Sequence, residues 1–153
     1  MKLIKRIAFI TLVALPYLSN AQSNETESFD RFKADSINGV YIPENIYDAM
    51  LQIDGFWSDS VKQVVREMSV GEFTIGAHMG FGMWIRNNWQ LWGGSRLSKF
   101  LEKQAGTHPD DMSDAILRAY HKYLCGDKEL NEQVELYKKS REKSPGKESD
   151  KEP

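Results

Sequence analysis

The sequence predicts an all-α protein, a compact bundle of five or six short helices. Three observations support this fold class. Apolar residues between positions 40 and 137 recur at intervals of three and four, which is the spacing of one helix face. Residues that favour helix starts and glycines that favour helix ends separate these stretches. No stretch shows sustained alternation of apolar and polar residues between turn pairs, so a sheet is not expected.

The first three helices follow from their start signals. Pro43 suits the first position of a helix, and Gly55 is expected to end it. Ser58 offers a cap for a second helix. A third begins at Ser69-Val70-Gly71-Glu72, which is a capping-box pattern because Ser and Glu are three residues apart.

The second half of the core predicts three further helices. Ser95 caps one that Gly106 ends, and Pro109 starts another that runs to about Leu124. A last and weaker helix is expected over residues 128–137. The folded domain is thus predicted at residues 40–137.

The N-terminal 21 residues have the layout of a secretory signal peptide. A basic region with Lys2, Lys5 and Arg6 precedes an apolar stretch of twelve residues, 7–18, and small residues lead to Ala21. A membrane-spanning helix needs about 20 apolar residues, so an uncleaved anchor is the weaker alternative. We therefore expect an exported protein, periplasmic or secreted, with no membrane span after signal cleavage.

The segments that flank the core are polar. Residues 22–39 predict a flexible leader, and residues 138–153, which are mostly charged, predict a disordered tail. The single cysteine, Cys125, excludes an internal disulfide and is expected to be buried as a small apolar residue. With a net charge of −2, the chain lacks the basic excess of a nucleic-acid binder.

The first motif segment is residues 82–92, Gly-Met-Trp-Ile-Arg-Asn-Asn-Trp-Gln-Leu-Trp. As one helix it places Trp89 and Trp92 on an apolar arc, with Arg86 and Asn87 on the other side. Asn88 falls within the arc, where its amide needs a hydrogen-bonding partner. The apolar arc is expected to be core, and a groove for a sugar or peptide is the alternative.

The second motif segment is residues 108–113, His-Pro-Asp-Asp-Met-Ser, at the start of the fifth helix. His108, Asp110 and Asp111 are candidates for acid–base work, but no known metal-ligand spacing is present. Negative charge in a first helical turn is also favoured by the helix dipole. We expect a structural role here, in which Arg86 pairs with Asp110 or Asp111, and neither a metal nor a cofactor.

Together these segments resemble a small bacterial domain family of unknown function that carries the motifs I-R-N-x-W-x-L-W and H-P-D-D-M-S. The resemblance covers residues 42–127, nearly the whole core. The resemblance implies no particular activity. It implies that the positions to test first are Arg86, Asn87, His108, Asp110, Asp111 and Ser113.

The function predicted is a non-enzymatic binding or interaction module of the cell envelope, whose partner is a protein or an envelope ligand. No complete catalytic constellation is found in the sequence. A small hydrolase or metal-dependent enzyme using His108, Asp110, Asp111 and Arg86 is the first alternative. An inhibitor or toxin-neutralising protein is the second. It would suit the small size and the acidic excess of residues 40–137, which contain 14 acidic and 9 basic residues.

Overall fold

The computed structural model describes residues 29–143. The predicted signal peptide, residues 22–28 of the leader and residues 144–153 of the tail lie outside the described residues. Within them the fold is an all-α bundle with one very small sheet, which confirms the predicted fold class. In the described part of the chain, no helix combines the length and the apolar character needed to cross a membrane.

The bundle is built from α1 (Ile46–Phe56), α2 (Asp59–Glu67), α3 (Val70–Ala77), α4 (Met83–Asn88), α5 (Arg96–Ala105), α6 (Pro109–Leu124) and α7 (Lys128–Glu142). A π-helical turn, His78–Gly82, joins α3 to α4 without a break. Counted as one continuous helix, α3, this turn and α4 leave six helices in the described residues. That number agrees with the predicted five or six.

The helix starts follow the predicted caps with one exception. Ser58, Ser69 and Ser95 each accept a backbone N–H of the following first turn, and Ser69 forms the complete capping box with Glu72. Pro43, however, precedes α1, whose cap is Asn45. An asparagine oxygen satisfies a free N–H of the first turn, which proline cannot do. The helix also passes through Gly55 and ends one residue later.

A two-stranded antiparallel hairpin was not expected from the sequence. β1 (Ser36–Ile37) pairs with β2 (Val40–Tyr41) across a turn in which Asn38 and Gly39 both have positive φ. Asn-Gly is the pair that such a two-residue turn favours. Ile37 is buried in the core. The described part of residues 22–39 is therefore not the flexible leader that the polar composition of this segment predicted.

Helix α6 lies at the centre and packs against every other helix. Its inward face carries Met112, Ile116 and Tyr120, which recur at intervals of four residues. His121 of the same helix is also buried. Its Nε2 donates to the Met68 carbonyl at 2.8 Å, and its ring stacks on Phe73, because the α2–α3 corner covers this side of α6.

The C-terminal end of the bundle corrects two further expectations. Helix α7 continues beyond residue 137 to Glu142, so the first residues of the predicted disordered tail are helical. Cys125 is exposed rather than buried, because it caps α6 where the chain turns at Gly126, which has a φ of 82°. Glycine accepts this left-handed conformation without strain.

Candidate functional site

The first motif segment is not helical throughout. Helix α4 ends at Asn88, and a turn with Gln90 at a φ of 55° follows. Trp89 is therefore buried as predicted, whereas Trp92 leaves the helix and is 58% exposed. The prediction of a single helix to Trp92 is wrong because periodicity does not reveal a residue that adopts positive φ.

Arg86 is buried although the helical pattern placed it on the polar side. Its Nε lies 3.0 Å from Asp110 Oδ1, its Nη1 donates to Ser113 Oγ at 2.9 Å, and its Nη2 donates to the His78 carbonyl at 3.2 Å. The planar guanidinium thus contacts both the first turn of α6 and the π-helical turn. The expected pairing of Arg86 with an aspartate of the second motif segment is confirmed, and the partner is Asp110. We call Arg86, Asp110 and Ser113 the clamp.

Ser113 completes the clamp through both functions of its hydroxyl group. The oxygen accepts from Arg86, and the hydroxyl donates to the Asp110 carbonyl at 2.9 Å. Buried polar groups are stable only when they are hydrogen-bonded, and here each guanidinium nitrogen has a partner. The clamp is therefore a polar network, with an oxygen within 3.2 Å of each guanidinium nitrogen, that joins α4 to the first turn of α6.

The π-helical turn provides the room that the guanidinium needs. A Cβ at Gly82 would lie 3.2 Å from Arg86 Nη1 and 3.3 Å from the Ala77 carbonyl oxygen. The same turn contains His78, whose carbonyl accepts from Arg86. Such turns are often found at functional sites. The absence of a side chain at Gly82 therefore allows these neighbouring groups to approach closely.

His108 and Asp111 lie on the surface beside the clamp. His108 caps α6, because its Nδ1 accepts from the Asp110 N–H at 3.3 Å. Nδ1 also lies 3.7 Å from Asp110 Oδ2. The ring of His108 stands edge-on to Trp92 with the centroids 5.8 Å apart. Asp111 is exposed in the first turn.

The two asparagines of the first motif segment have different surroundings. Asn88 donates to the Trp84 carbonyl at 2.9 Å, which is the partner its place on the apolar arc required. Asn87 is exposed, and its carbonyl accepts from Gln90 at 2.8 Å. Asn88 and Trp89 therefore support the core, whereas Asn87 is exposed to solvent.

A second polar cluster was missed by sequence reasoning. The carboxylate of Asp48, only 1% exposed, accepts from the Tyr41 hydroxyl at 2.7 Å and the Glu44 N–H at 3.0 Å. Arg141 of α7 lies 3.4 Å from its other oxygen, and the Tyr137 hydroxyl donates to Glu44 at 2.8 Å. The only sequence signal is an acidic residue within the apolar face of α1.

The second cluster also changes the acidity of its groups. Burial, followed by the hydrogen bond to Asp48, raises the pKa of Tyr41. Burial also raises the pKa of Tyr137, and hydrogen bonding to Tyr41 raises the pKa of Arg141. Both tyrosines are thus held neutral and the arginine charged. This is the chemistry of a structural tie between α1, α7 and the hairpin.

Metal ligands are not gathered at either cluster. Within residues 29–143, no group of three or more His, Cys, Asp or Glu side chains is placed to hold a metal ion. The side chains at the clamp that could act as acids or bases are His78, His108 and Asp110. Asp110 already binds Arg86.

The fold and the clamp define a small helical domain whose two motif segments are joined through one buried arginine. Residues 42–124 match the model of the family described as "Domain of unknown function (DUF6794)". Because this match covers more than half of the chain, the protein belongs to that family. The resemblance seen in the sequence is thereby confirmed. No curated protein and no solved structure matches the chain.

Proposed function

We propose that this protein is a non-enzymatic binding module of the cell envelope whose contact surface is the Trp92–His108 pair, together with Asn87 and Asp111. The observation that carries the proposal is the position of Trp92. It is 58% exposed, yet it is held edge-on against His108 directly beside the clamp. The ligand class proposed is a protein segment.

An exposed tryptophan on a rigid support suits binding. Tryptophan offers a large apolar area and one polar N–H, and such residues carry much of the binding energy in protein interfaces. Exposure of so large a ring to water is unfavourable, and a partner that covers it recovers that free energy. His108 would supply a polar contact at its edge.

The state of the candidate catalytic groups supports binding over catalysis. Asp110 binds Arg86, Ser113 uses both functions of its hydroxyl, and His108 uses Nδ1 to cap α6. A general base must be free to take a proton from substrate within hydrogen-bonding distance. These groups are instead committed to each other and to the backbone.

One observation favours the enzymatic alternative. His78 Nε2 lies 4.0 Å from Asp110 Oδ1, an arrangement in which a carboxylate could orient a histidine. A small hydrolase of this kind would lose its activity on replacement of His78 by Ala with little change in melting temperature. The binding module would retain partner binding in that variant.

Site-specific photo-cross-linking tests the proposed surface. A photoreactive residue in place of Trp92 should form an adduct with the partner in intact cells, whereas one in place of the exposed Lys128 on α7 should not. With the partner purified, Trp92→Ala should weaken binding roughly tenfold or more at an unchanged melting temperature. Equal adducts at both positions, or unchanged binding, would contradict the proposal.

Export is part of the proposal and has its own test. The sequence of residues 1–21 supports removal of a signal peptide after Ala21. Mass spectrometry of the protein from fractionated cells should then find an envelope form that begins at Gln22. A form that begins at Met1 in the cytosolic fraction would overturn this part.

A further inference from the structure

One ring nitrogen of His108 lies between a hydrogen-bond donor and an acceptor of the same residue. Its Nδ1 is 3.3 Å from the Asp110 backbone nitrogen and 3.7 Å from Asp110 Oδ2. An unprotonated imidazole nitrogen accepts a hydrogen bond, whereas a protonated one can only donate. We infer that His108 is a proton-operated switch, in which uptake of a proton at Nδ1 moves its hydrogen bond from the Asp110 N–H to the Asp110 carboxylate.

The unprotonated form of His108 is the one that caps α6. The first N–H groups of a helix have no partner within the helix, and Nδ1 accepts the hydrogen of one of them, the Asp110 N–H. The His108 side chain is 59% exposed, so water can deliver a proton to its ring. Once Nδ1 carries that proton it no longer accepts, and the Asp110 N–H loses this partner.

The protonated form of His108 has an acceptor close to the same atom. Arg86 Nε already binds Asp110 Oδ1 at 3.0 Å, whereas Oδ2 lies 3.7 Å from His108 Nδ1. A charge-assisted hydrogen bond of about 2.8 Å needs Nδ1 to approach Oδ2 by only about 1 Å. Among residues 29–143, no other carboxylate lies within 4.0 Å of the His108 ring nitrogens. The Asp110 carboxylate then binds two cations, one at each oxygen.

The other charged groups of this region are placed differently. The charged and titratable residues of the adjoining elements include His78 in the π-helical turn, Arg86 in α4, Lys103 in the last turn of α5, and Asp110 and Asp111 in α6. The second histidine beside Asp110, His78, has its Nε2 4.0 Å from Oδ1, the oxygen that Arg86 already binds. The turn at residues 89–94 has no titratable side chain. His108 is therefore the histidine with two partners to exchange.

The switch acts on the exposed ring of Trp92. The rings of His108 and Trp92 stand edge-on with their centroids 5.8 Å apart, so movement of the imidazole toward Oδ2 changes this contact. The surface around Trp92 therefore differs between neutral and acidic solution. The effect of this difference on a binding partner rests on the proposed function, whereas the switch itself does not.

Nuclear magnetic resonance of the free protein between about pH 8 and about pH 5 tests the switch, because histidines change their charge in this range. At the alkaline end, the His108 ring should carry its proton on Nε2, which leaves Nδ1 as the acceptor. As the pH falls, the Asp110 amide, the Asp110 carboxylate carbon and the Trp92 indole N–H should shift with the midpoint of the His108 ring. The carboxylate carbon of Asp111, the exposed neighbour, should shift much less.

Two variants separate the two histidines. His108→Asn keeps an acceptor for the helix N–H, because asparagine is a preferred capping residue, but it cannot take up a proton. The shared titration of Asp110 and Trp92 should disappear in His108→Asn and persist in His78→Asn. A proton on Nδ1 at the alkaline end would overturn the inference. So would resonances of Asp110 and Trp92 that stay constant in the wild type, or that titrate in His108→Asn as they do in the wild type.

Discussion

Arg86 and Asp110 form an ion pair of 3.0 Å between the two motif segments, with the arginine buried and the aspartate in the first turn of α6. Negative charge is favoured at this end of a helix, and the buried cation adds to that preference. The pair fixes α4 against α6. It thereby sets the position of the turn that carries Trp92 next to His108.

The clamp predicts that Ser113→Ala is destabilising. The change removes the acceptor of Arg86 Nη1 and leaves a buried donor of a charged group unpaired. We expect a loss of about 2 kcal/mol in unfolding free energy, or roughly 8 °C in melting temperature. Urea unfolding measures the loss. Ser60→Ala, an exposed helical serine, should change stability by less than about 0.5 kcal/mol, and equal effects would contradict the clamp.

The segment before β1 is predicted to be part of the folded domain. Gly94 has a φ of 85°, and an added Cβ would lie 3.0 Å from the Phe32 ring. Gly94→Ala should therefore cost about 2 kcal/mol, from backbone strain and from this contact. Gly106→Ala is the control, because its φ of 81° is similar but nothing lies within 4 Å. Equal losses of stability in thermal melts would show that Phe32 does not pack there.

Helix α7 is predicted to stabilise the domain through one charge. Arg141→Ala removes the cation beside the buried carboxylate of Asp48 and should cost about 2 kcal/mol, because an unpaired buried charge is unfavourable. Lys139→Ala, two positions earlier and exposed, should be neutral within about 0.5 kcal/mol. Guanidinium chloride unfolding of both variants measures the two losses of unfolding free energy. Equal unfolding free energies for Arg141→Ala and Lys139→Ala would contradict this stabilising role of Arg141.

Three tyrosines predict a loss of stability at alkaline pH. Burial raises the pKa of Tyr41, Tyr120 and Tyr137 above the usual 10.0, so the folded state favours the neutral phenol. This stabilisation is complete below pH 10.0 and is lost as the pH rises through the folded-state pKa values. Tyr120→Phe should lose less unfolding free energy than the wild type between about pH 8 and about pH 11. Identical losses would contradict this assignment.

The helices could be predicted from the sequence because their signals are local. Serine caps and the spacing of Met112, Ile116 and Tyr120 depend only on neighbouring residues. The hairpin was missed because its strands have only two residues each, too few for alternation to be visible. Its Asn38-Gly39 turn was the available signal.

The site was only partly predictable for a different reason. The pairing of Arg86 with the second motif segment could be expected from charge and geometry, since one guanidinium can bind a carboxylate. The burial of Arg86 and the exposure of Trp92 could not, because they depend on the π-helical turn and on positive φ at Gln90. The Asp48–Arg141 pair joins residues distant in sequence, which no local pattern reveals.

The measurement that tests the account most directly is a double-mutant cycle on unfolding free energy with Arg86→Ala, Asp110→Ala and the double variant. The clamp predicts a coupling of at least about 1 kcal/mol, because the two side chains share one contact. The same cycle with Asp111→Ala, the exposed neighbour, should give a coupling near zero. A coupling near zero for Arg86 and Asp110, with an unchanged melt and lost partner binding in Arg86→Ala, would contradict the structural role of the pair.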